Sequence, residues 1–171
     1  SVQLRLSSVS AESEDALLPT KTGATTVDGT EQTLNQSYTT DQSDESAILV
    51  QNGGNATMDG AEVSKTGGDS SNTENSEFYG VNAGILVTEN STATIKNATI
   101  STNAKGSNAV FSTGTDSKIY ISDSKITTTG SGSSRGLDST YGGYIEVNNV
   151  TIKTSGGSSA TLATDRGEGT V

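Results

Sequence analysis

The chain has 171 residues, a formal net charge of −10, and no Cys, His or Trp. The missing Cys excludes disulfides and thiolate metal or redox sites, and the missing His removes the commonest general base and metal ligand. Because 20 Asp plus Glu face only 10 Lys plus Arg, the chain has too little positive charge for a nucleic-acid-binding surface. No apolar run approaches the roughly 18 residues of a membrane-spanning helix, so no membrane insertion is predicted. No resident cofactor is predicted either.

The N-terminal residues 1–23 stand outside any repeat. Val2, Leu4 and Leu6 alternate with polar residues, which indicates a short amphipathic strand. Two interpretations remain open for this segment: an arm or end-cap of its own molecule, or an arm that adds its strand to a neighbouring molecule. Residues 24–45 are predicted to form a degenerate first coil or cap.

Residues 46–171 are organised around one unit that is written four times. Met58, Ile95, Ile121 and Val147 hold the same place in it, and the last three are 26 residues apart. Each is followed five residues later by a second apolar residue. The units span residues 56–63, 93–100, 119–126 and 145–152, and the second apolar residues are Val63, Ile100, Ile126 and Ile152.

Each unit reads as two short strands that meet at a bend. Apolar and polar residues alternate on both sides of one position, which is occupied by Gly60, Asn97, Asp123 or Asn149. These residue types tolerate positive φ at the lowest cost. Ser124 is the one polar residue at an apolar position of the pattern.

A second column of apolar segments precedes the units and completes the repeat. A period of strands and turns predicts a solenoid, which needs only a thin apolar seam because neighbouring coils make that seam continuous. We therefore predict one all-β domain, a parallel β-helix of about five coils with an incomplete last coil. The segments of the second column are 47–50, 84–87, 109–111, 136–137 and 160–163.

Four stretches carry a resemblance to a known family. Residues 67–87, 103–114, 133–143 and 158–171 resemble the adhesin-like right-handed parallel β-helix proteins of gut and other anaerobes. The resemblance implies a right-handed, pectate-lyase-like fold, a secreted or cell-surface location, and an adhesive or carbohydrate-binding role.

An insertion between Lys65 and Asn82 lengthens one coil, and repeat proteins place such insertions on one face. Its aromatic residues, Phe78 and Tyr79, either pin the insertion to the coil body or belong to a ligand platform. Its carboxylates are weak calcium candidates, because their spacing does not match the EF-hand loop. These carboxylates are Asp69, Glu74 and Glu77.

The best enzymatic case is a set of charged residues near the C-terminus: Arg135, Asp138, Asp165 and Arg166. If neighbouring coils align Leu137 with Leu162, the two carboxylates fall on adjacent coils, at a separation suited to a glycosidase pair. Local salt bridges, of Arg135 with Asp138 and of Asp165 with Arg166, explain these charged residues equally well. The chain is therefore predicted not to be an enzyme, with a polysaccharide-cleaving lyase or glycosidase as an alternative.

Two binding hypotheses follow from the remaining features. The incomplete coil ending at Thr170 and Val171 leaves an unpaired edge, and the N-terminal strand could add to it in a neighbouring molecule, giving head-to-tail filaments. Alternatively, a glycan binds a face that carries Tyr79, Tyr141 and Tyr144. The predicted function is an extracellular structural or adhesive module, with its own copies as partners.

Overall fold

The computed structural model describes residues 18–157, 159–165 and 167–171, and over these residues the chain forms a parallel β-solenoid of about five turns. The predicted all-β fold is thus confirmed. Within the described residues, no helix is long and apolar enough to cross a membrane. The elements are β1 (Thr22–Asp28), β2 (Glu31–Thr33), β3 (Ser37–Thr40), β4 (Glu45–Gln51), β5 (Asn55–Asp59), β6 (Glu62–Lys65), α1 (Thr73–Tyr79), β7 (Ile85–Thr88), β8 (Thr92–Lys96), β9 (Thr99–Thr102), β10 (Val110–Thr113), β11 (Lys118–Thr128), β12 (Leu137–Thr140), β13 (Tyr144–Thr154) and β14 (Leu162–Asp165).

Two parallel sheets run along the solenoid. Sheet 1 takes one strand from each coil, in the order β1-β4-β7-β10-β12-β14. In sheet 2, β2, β5 and β8 lead to the first half of β11, while β3, β6 and β9 lead to its second half. β13 pairs with β11 over both halves and is the last strand of sheet 2.

The predicted ladder is confirmed residue by residue. Met58 pairs with Ile95, Ile95 with Ile121, and Ile121 with Val147. The second apolar positions pair in the same way from Val63 to Ile152. Their side chains point into the solenoid, where they form a continuous seam that is the main hydrophobic core.

The predicted bend is also confirmed, since Gly60, Asn97, Asp123 and Asn149 all have positive φ, between 50° and 80°. The bend carries polar cross-links between coils. Asn97 Nδ2 donates to Asp59 Oδ1 at 2.9 Å, and Asn149 Nδ2 donates to Asp123 Oδ1 at 2.6 Å. The residues at the bend therefore also hydrogen-bond one coil to the next.

Ser124, the polar residue in the apolar pattern, is buried beside the bend. Its Oγ accepts a hydrogen bond from the backbone N–H of Ala98 at 3.0 Å and donates one to the carbonyl of Ser122 at 2.8 Å. Because both hydrogen bonds are made within the protein, the hydroxyl is buried without the cost of an unsatisfied polar group.

The second apolar column forms sheet 1, although its strands extend beyond the predicted segments. Its register is continuous along the solenoid, which confirms the column. The last four strands end on polar residues that the apolar pattern did not include. The aligned residues are Ile48, Ile85, Val110, Leu137 and Leu162.

The insertion contains a helix, which the sequence pattern did not indicate. Asn72 caps α1 by accepting a hydrogen bond from the backbone N–H of Asn75 at 3.0 Å, and Gly80 ends it with a φ of 72°. Ala83, directly after the insertion, belongs to a second apolar cluster on the outer side of sheet 1. The other members of this cluster are Leu49, Leu86 and Phe111.

Candidate functional site

The insertion is attached to the later coils by contacts from its helix. The ring of Tyr79 stacks on Tyr141 with centroids 5.2 Å apart and planes 14° from parallel. Thr140 Oγ1 donates to the carbonyl of Phe78 at 2.7 Å. The buried amide of Asn108 donates to the carbonyl of Ser76 at 3.1 Å. If the coils are numbered by their strands in sheet 1, beginning with β1, the insertion follows the second coil and these contacts connect it to the fourth and fifth coils, which contain β10 and β12.

Arg135 lies between two carboxylates at the centre of this attachment. Its guanidinium contacts Asp138 Oδ2 at 3.0 Å and Glu77 Oε1 at 3.1 Å. The side chain of Asp138 is fully buried, whereas that of Glu77 is 26% exposed. A buried carboxylate requires such a partner because desolvation of an uncompensated charge is costly. The cluster therefore holds α1 against the fifth coil.

Asp165, the other carboxylate of the enzymatic hypothesis, lies one coil further on. Leu137 pairs with Leu162, as predicted, and this register places Asp165 opposite Thr140, two positions beyond the partner of Asp138. Arg166 is outside the described residues. Because Asp138 is already bound to Arg135, the geometry gives this carboxylate a structural role. Catalysis by the set stays a prediction.

The three calcium candidates have separate roles in the structure. Asp69 Oδ1 accepts a hydrogen bond from the backbone N–H of Lys105 at 3.0 Å, Glu77 binds Arg135, and Glu74 lies in the first turn of α1. Over the described part of the chain, no group of three or more Asp, Glu, His or Cys residues is arranged to hold a metal ion.

The three tyrosines of the glycan hypothesis are divided between two pairs. Tyr79 and Tyr141 form the stack described above. Tyr144 instead contacts Tyr120, with ring centroids 6.1 Å apart and planes at 57°. Tyr120 was not among the predicted glycan-binding residues. Its place between the inward-facing residues Ile119 and Ile121 nevertheless marks it as outward-facing.

The C-terminal end of the solenoid exposes the seam that is buried in every earlier coil. Val147 is 37% exposed, whereas its ladder partners Met58, Ile95 and Ile121 are at most 2% exposed. Two further apolar residues at this end, Leu162 and Val171, are 54% and 37% exposed. Together they border a cavity of about 650 Å³, which is lined by Tyr144, Ile145, Glu146, Val147, Val150, Ile152, Thr161, Leu162, Thr170 and Val171.

The same end presents a partly unpaired strand. Thr170 bridges to Tyr144: its N–H donates to the carbonyl of Gly143 at 2.9 Å, and its carbonyl accepts from Ile145 at 2.8 Å. Beyond this bridge, no strand among the described residues pairs with the outer edge of β13. Val2, Leu4 and Leu6, predicted to fill such an edge, lie outside the described residues.

Charge is distributed unevenly along the solenoid axis. Residues 18–90, which form the first two coils, the insertion and β7, contain eleven Asp or Glu and two Lys. Residues 91–171 contain six acidic and seven basic residues. The N-terminal half is therefore strongly negative, and the C-terminal half is close to neutral.

Comparisons of the chain with protein-family models, curated proteins and solved structures give no match. Function is therefore inferred from the geometry of this molecule. Two surfaces stand out: the exposed seam and edge at the C-terminal end, which the sequence pattern predicted, and the Tyr120–Tyr144 pair, which it did not.

Proposed function

We propose that the protein is a structural or adhesive module, secreted or displayed at the cell surface, whose copies associate head to tail through strand addition. The observation that carries this proposal is the exposed seam at the C-terminal end, where Val147 and Leu162 meet the unpaired edge of β13. The extracellular location is supported by the resemblance to adhesin-like β-helix proteins.

The occupant that we propose for this end is the N-terminal strand of a second copy. Strand addition combines backbone hydrogen bonds along an open edge with pockets for alternate side chains. Val2, Leu4 and Leu6 supply apolar side chains at alternate positions, which suits the exposed seam. The 17 residues before Leu18 reach roughly 56 Å when extended, which is enough to cross to a neighbouring molecule.

Charge distribution favours the same orientation. Two N-terminal halves repel each other because both are strongly acidic, whereas an acidic half meets little repulsion from a nearly neutral one. A contact between two different surfaces of identical copies is heterologous and propagates into a filament unless its rotation closes a ring. The expected product is therefore an unbranched filament of stacked solenoids.

This proposal predicts that truncating or charging the contact prevents assembly. The wild-type chain should form filaments visible by negative-stain electron microscopy and sedimenting as large particles. Deleting residues 1–10 should leave monomers because the added strand is lost. Val147→Glu should also leave monomers, since a charge facing the seam opposes a contact in which burying valine contributes about 1.5–3 kcal/mol.

Thr151→Glu is the matched control, because it adds the same charge to the exposed outer face of β13 and should leave the filaments intact. A wild-type chain that stays monomeric at all concentrations, or filaments unchanged by the deletion, would contradict the proposal. A closed two-fold dimer, in which two C-terminal ends meet, would contradict head-to-tail association.

A further inference from the structure

The outer face of sheet 2 carries an aromatic pair on a surface that is otherwise polar. Tyr120 of β11 and Tyr144 of β13 face outward on adjacent coils, and both are half-buried. Residues at the positions equivalent to Tyr120 on the preceding coils are Thr57 and Thr94. The two rings therefore stand on a polar face, beside Lys118 and Glu146, which pair with Tyr144 and Tyr120 respectively.

Two shallow depressions adjoin this pair, and Tyr120 lines both of them. The first, of about 350 Å³, lies toward the turn before β11 and has Tyr144 in its wall. The second, of about 330 Å³, lies toward the bend of sheet 2. The first is lined by Thr115, Asp116, Ser117, Lys118, Tyr120, Gly142 and Tyr144, and the second by Thr94, Lys96, Tyr120, Ile121, Ser122, Glu146, Val147 and Asn148.

The charged groups around the pair are balanced in sign. Asp116 and Lys118 border the first depression, and Lys96 and Glu146 border the second; all four side chains belong to exposed residues. Donors and acceptors therefore surround the rings without a net charge. Such a surface does not favour a polyanion, which requires a basic stripe, or a lipid surface, which requires a wide apolar face.

We propose that this face binds an uncharged oligosaccharide along Tyr120 and Tyr144. Aromatic rings with a polar tip offer a flat apolar face to the C–H groups of a sugar and a hydroxyl to its polar edge. The surrounding carboxylates, ammonium groups and amide of Asn148 supply both hydrogen-bond acceptors and donors for sugar hydroxyls. Two adjoining depressions that share one ring suit neighbouring units of one chain.

The site adjoins the head-to-tail contact, because Tyr144, Glu146 and Val147 line the C-terminal cavity as well as the two depressions. Strand addition occupies the edge of β13 and the inward-facing seam, whereas Tyr144 and Glu146 face outward from the same strand. A second copy would therefore approach Tyr144 along the axis, whereas Tyr120 lies on β11, one coil away from the contact. Binding can accordingly be measured on the variant lacking residues 1–10, so the result does not depend on filament formation.

The test uses a microarray of neutral oligosaccharides, followed by titration calorimetry with a bound oligosaccharide. Tyr120→Ala and Tyr144→Ala should each weaken binding about tenfold or more, as truncation of a central aromatic contact does. Tyr120→Phe, which keeps the ring, should retain most of the affinity. Tyr38→Phe, a hydroxyl deletion in the first coil, is a control that should bind like the parent, and circular dichroism verifies that each variant is folded.

Binding that is lost in both alanine variants and kept in the two phenylalanine variants supports the site. An array with no neutral oligosaccharide bound overturns the proposal, as does binding that Tyr120→Ala leaves unchanged. Binding restricted to anionic glycans also overturns it, because the balanced charges of the face would then play no part.

Discussion

Lys65 is a charged residue enclosed by the solenoid. It follows Ala61 and Val63 at alternate positions, so it faces inward, and it is only 1% exposed. Its Nζ donates to the carbonyl of Gln42 at 2.6 Å and to that of Glu45 at 2.9 Å. The same alternation that predicted the seam thus places an ammonium group inside it, where it binds the turn before β4.

Burial lowers the pKa of the Lys65 ammonium from 10.5 to about 8, and nearby carboxylates, chiefly that of Glu45, oppose this shift. Because the folded pKa is below the unfolded one, the unfolded state binds more protons between about pH 8 and 10.5. The contribution of Lys65 to the free energy of unfolding therefore rises with pH across this window, by up to about 3 kcal/mol.

Lys65→Met should remove this contribution, so the stability of the variant relative to wild type should fall as pH increases from 7 to 10.5. Urea unfolding followed by circular dichroism at several pH values measures the difference. Lys125→Met, at an exposed position of β11, is the matched control and should follow the wild-type profile. Parallel profiles for wild type and Lys65→Met would show that burial does not perturb this lysine.

At the scale of elements, the insertion connects coils that are distant in sequence. The buried side chain of Asn108 bonds α1 and also accepts a hydrogen bond from the backbone N–H of Arg135 at 2.8 Å. Arg135 in turn binds Glu77 of the helix. Since α1 has only seven residues, too few for a stable isolated helix, these tertiary contacts must hold it in place.

Arg135→Ala should lower the free energy of unfolding by about 3 kcal/mol, because it leaves Asp138 buried without its guanidinium partner. Glu77→Gln should cost about 1 kcal/mol or less, since Glu77 is partly exposed and Arg135 keeps its buried partner. Urea unfolding measures both, and hydrogen exchange of the insertion should accelerate more in Arg135→Ala. Equal effects of the two substitutions would contradict a central role for the buried pair.

The elements differ in how far the sequence predicts them. The coils are predictable because like residues, such as Ile95 and Ile121, recur at a fixed spacing and pair in the structure. The strands within each coil follow from the alternation of apolar and polar residues. The helix α1 was missed because seven residues give no helical period, and its caps, Asn72 and Gly80, lie within a segment rich in polar turn residues.

The two candidate sites also differ in how far the sequence predicts them. The open C-terminal edge was predicted because Val147 belongs to the last of the four units, and the structure shows the seam exposed there. The Tyr120–Tyr144 pair was not predicted, because Tyr144 was grouped with Tyr79 and Tyr141, and the face that it takes depends on the turn before it. Tyr141 lies in a turn with a φ of 50°, whereas Tyr144 begins a strand three residues later.

For the whole molecule, the uneven charge distribution should control how copies meet. The acidic N-terminal half and the nearly neutral C-terminal half bias encounters toward head-to-tail contact, and the overall charge of −10 opposes lateral clustering of filaments. Exposed charges act over about 10 Å at 0.1 M salt and about 3 Å at 1 M. Salt should therefore weaken the orientation bias while leaving the apolar contact at the seam.

Elongation, followed by light scattering from preformed filament ends, should accelerate as salt increases from about 0.05 to 0.5 M, because screening weakens the repulsion between copies that each carry a net charge of −10. Glu31→Lys combined with Asp41→Lys should also accelerate it at low salt, because both substitutions reduce the negative charge of the first coil and hence the repulsion between copies. Asp116→Lys, which adds positive charge to the other half, should accelerate it. Rates independent of salt in all three proteins would show that this repulsion plays no part.

The insertion also has a mechanical consequence. Tension applied along the axis of a plain solenoid would peel one coil from the next, so that the chain unspools turn by turn. Here α1 leaves the second coil and is held by Asn108 of the fourth and Arg135 of the fifth. The insertion therefore links the second coil to the fourth and fifth, and we expect the coils between them to be pulled out only after this link is released.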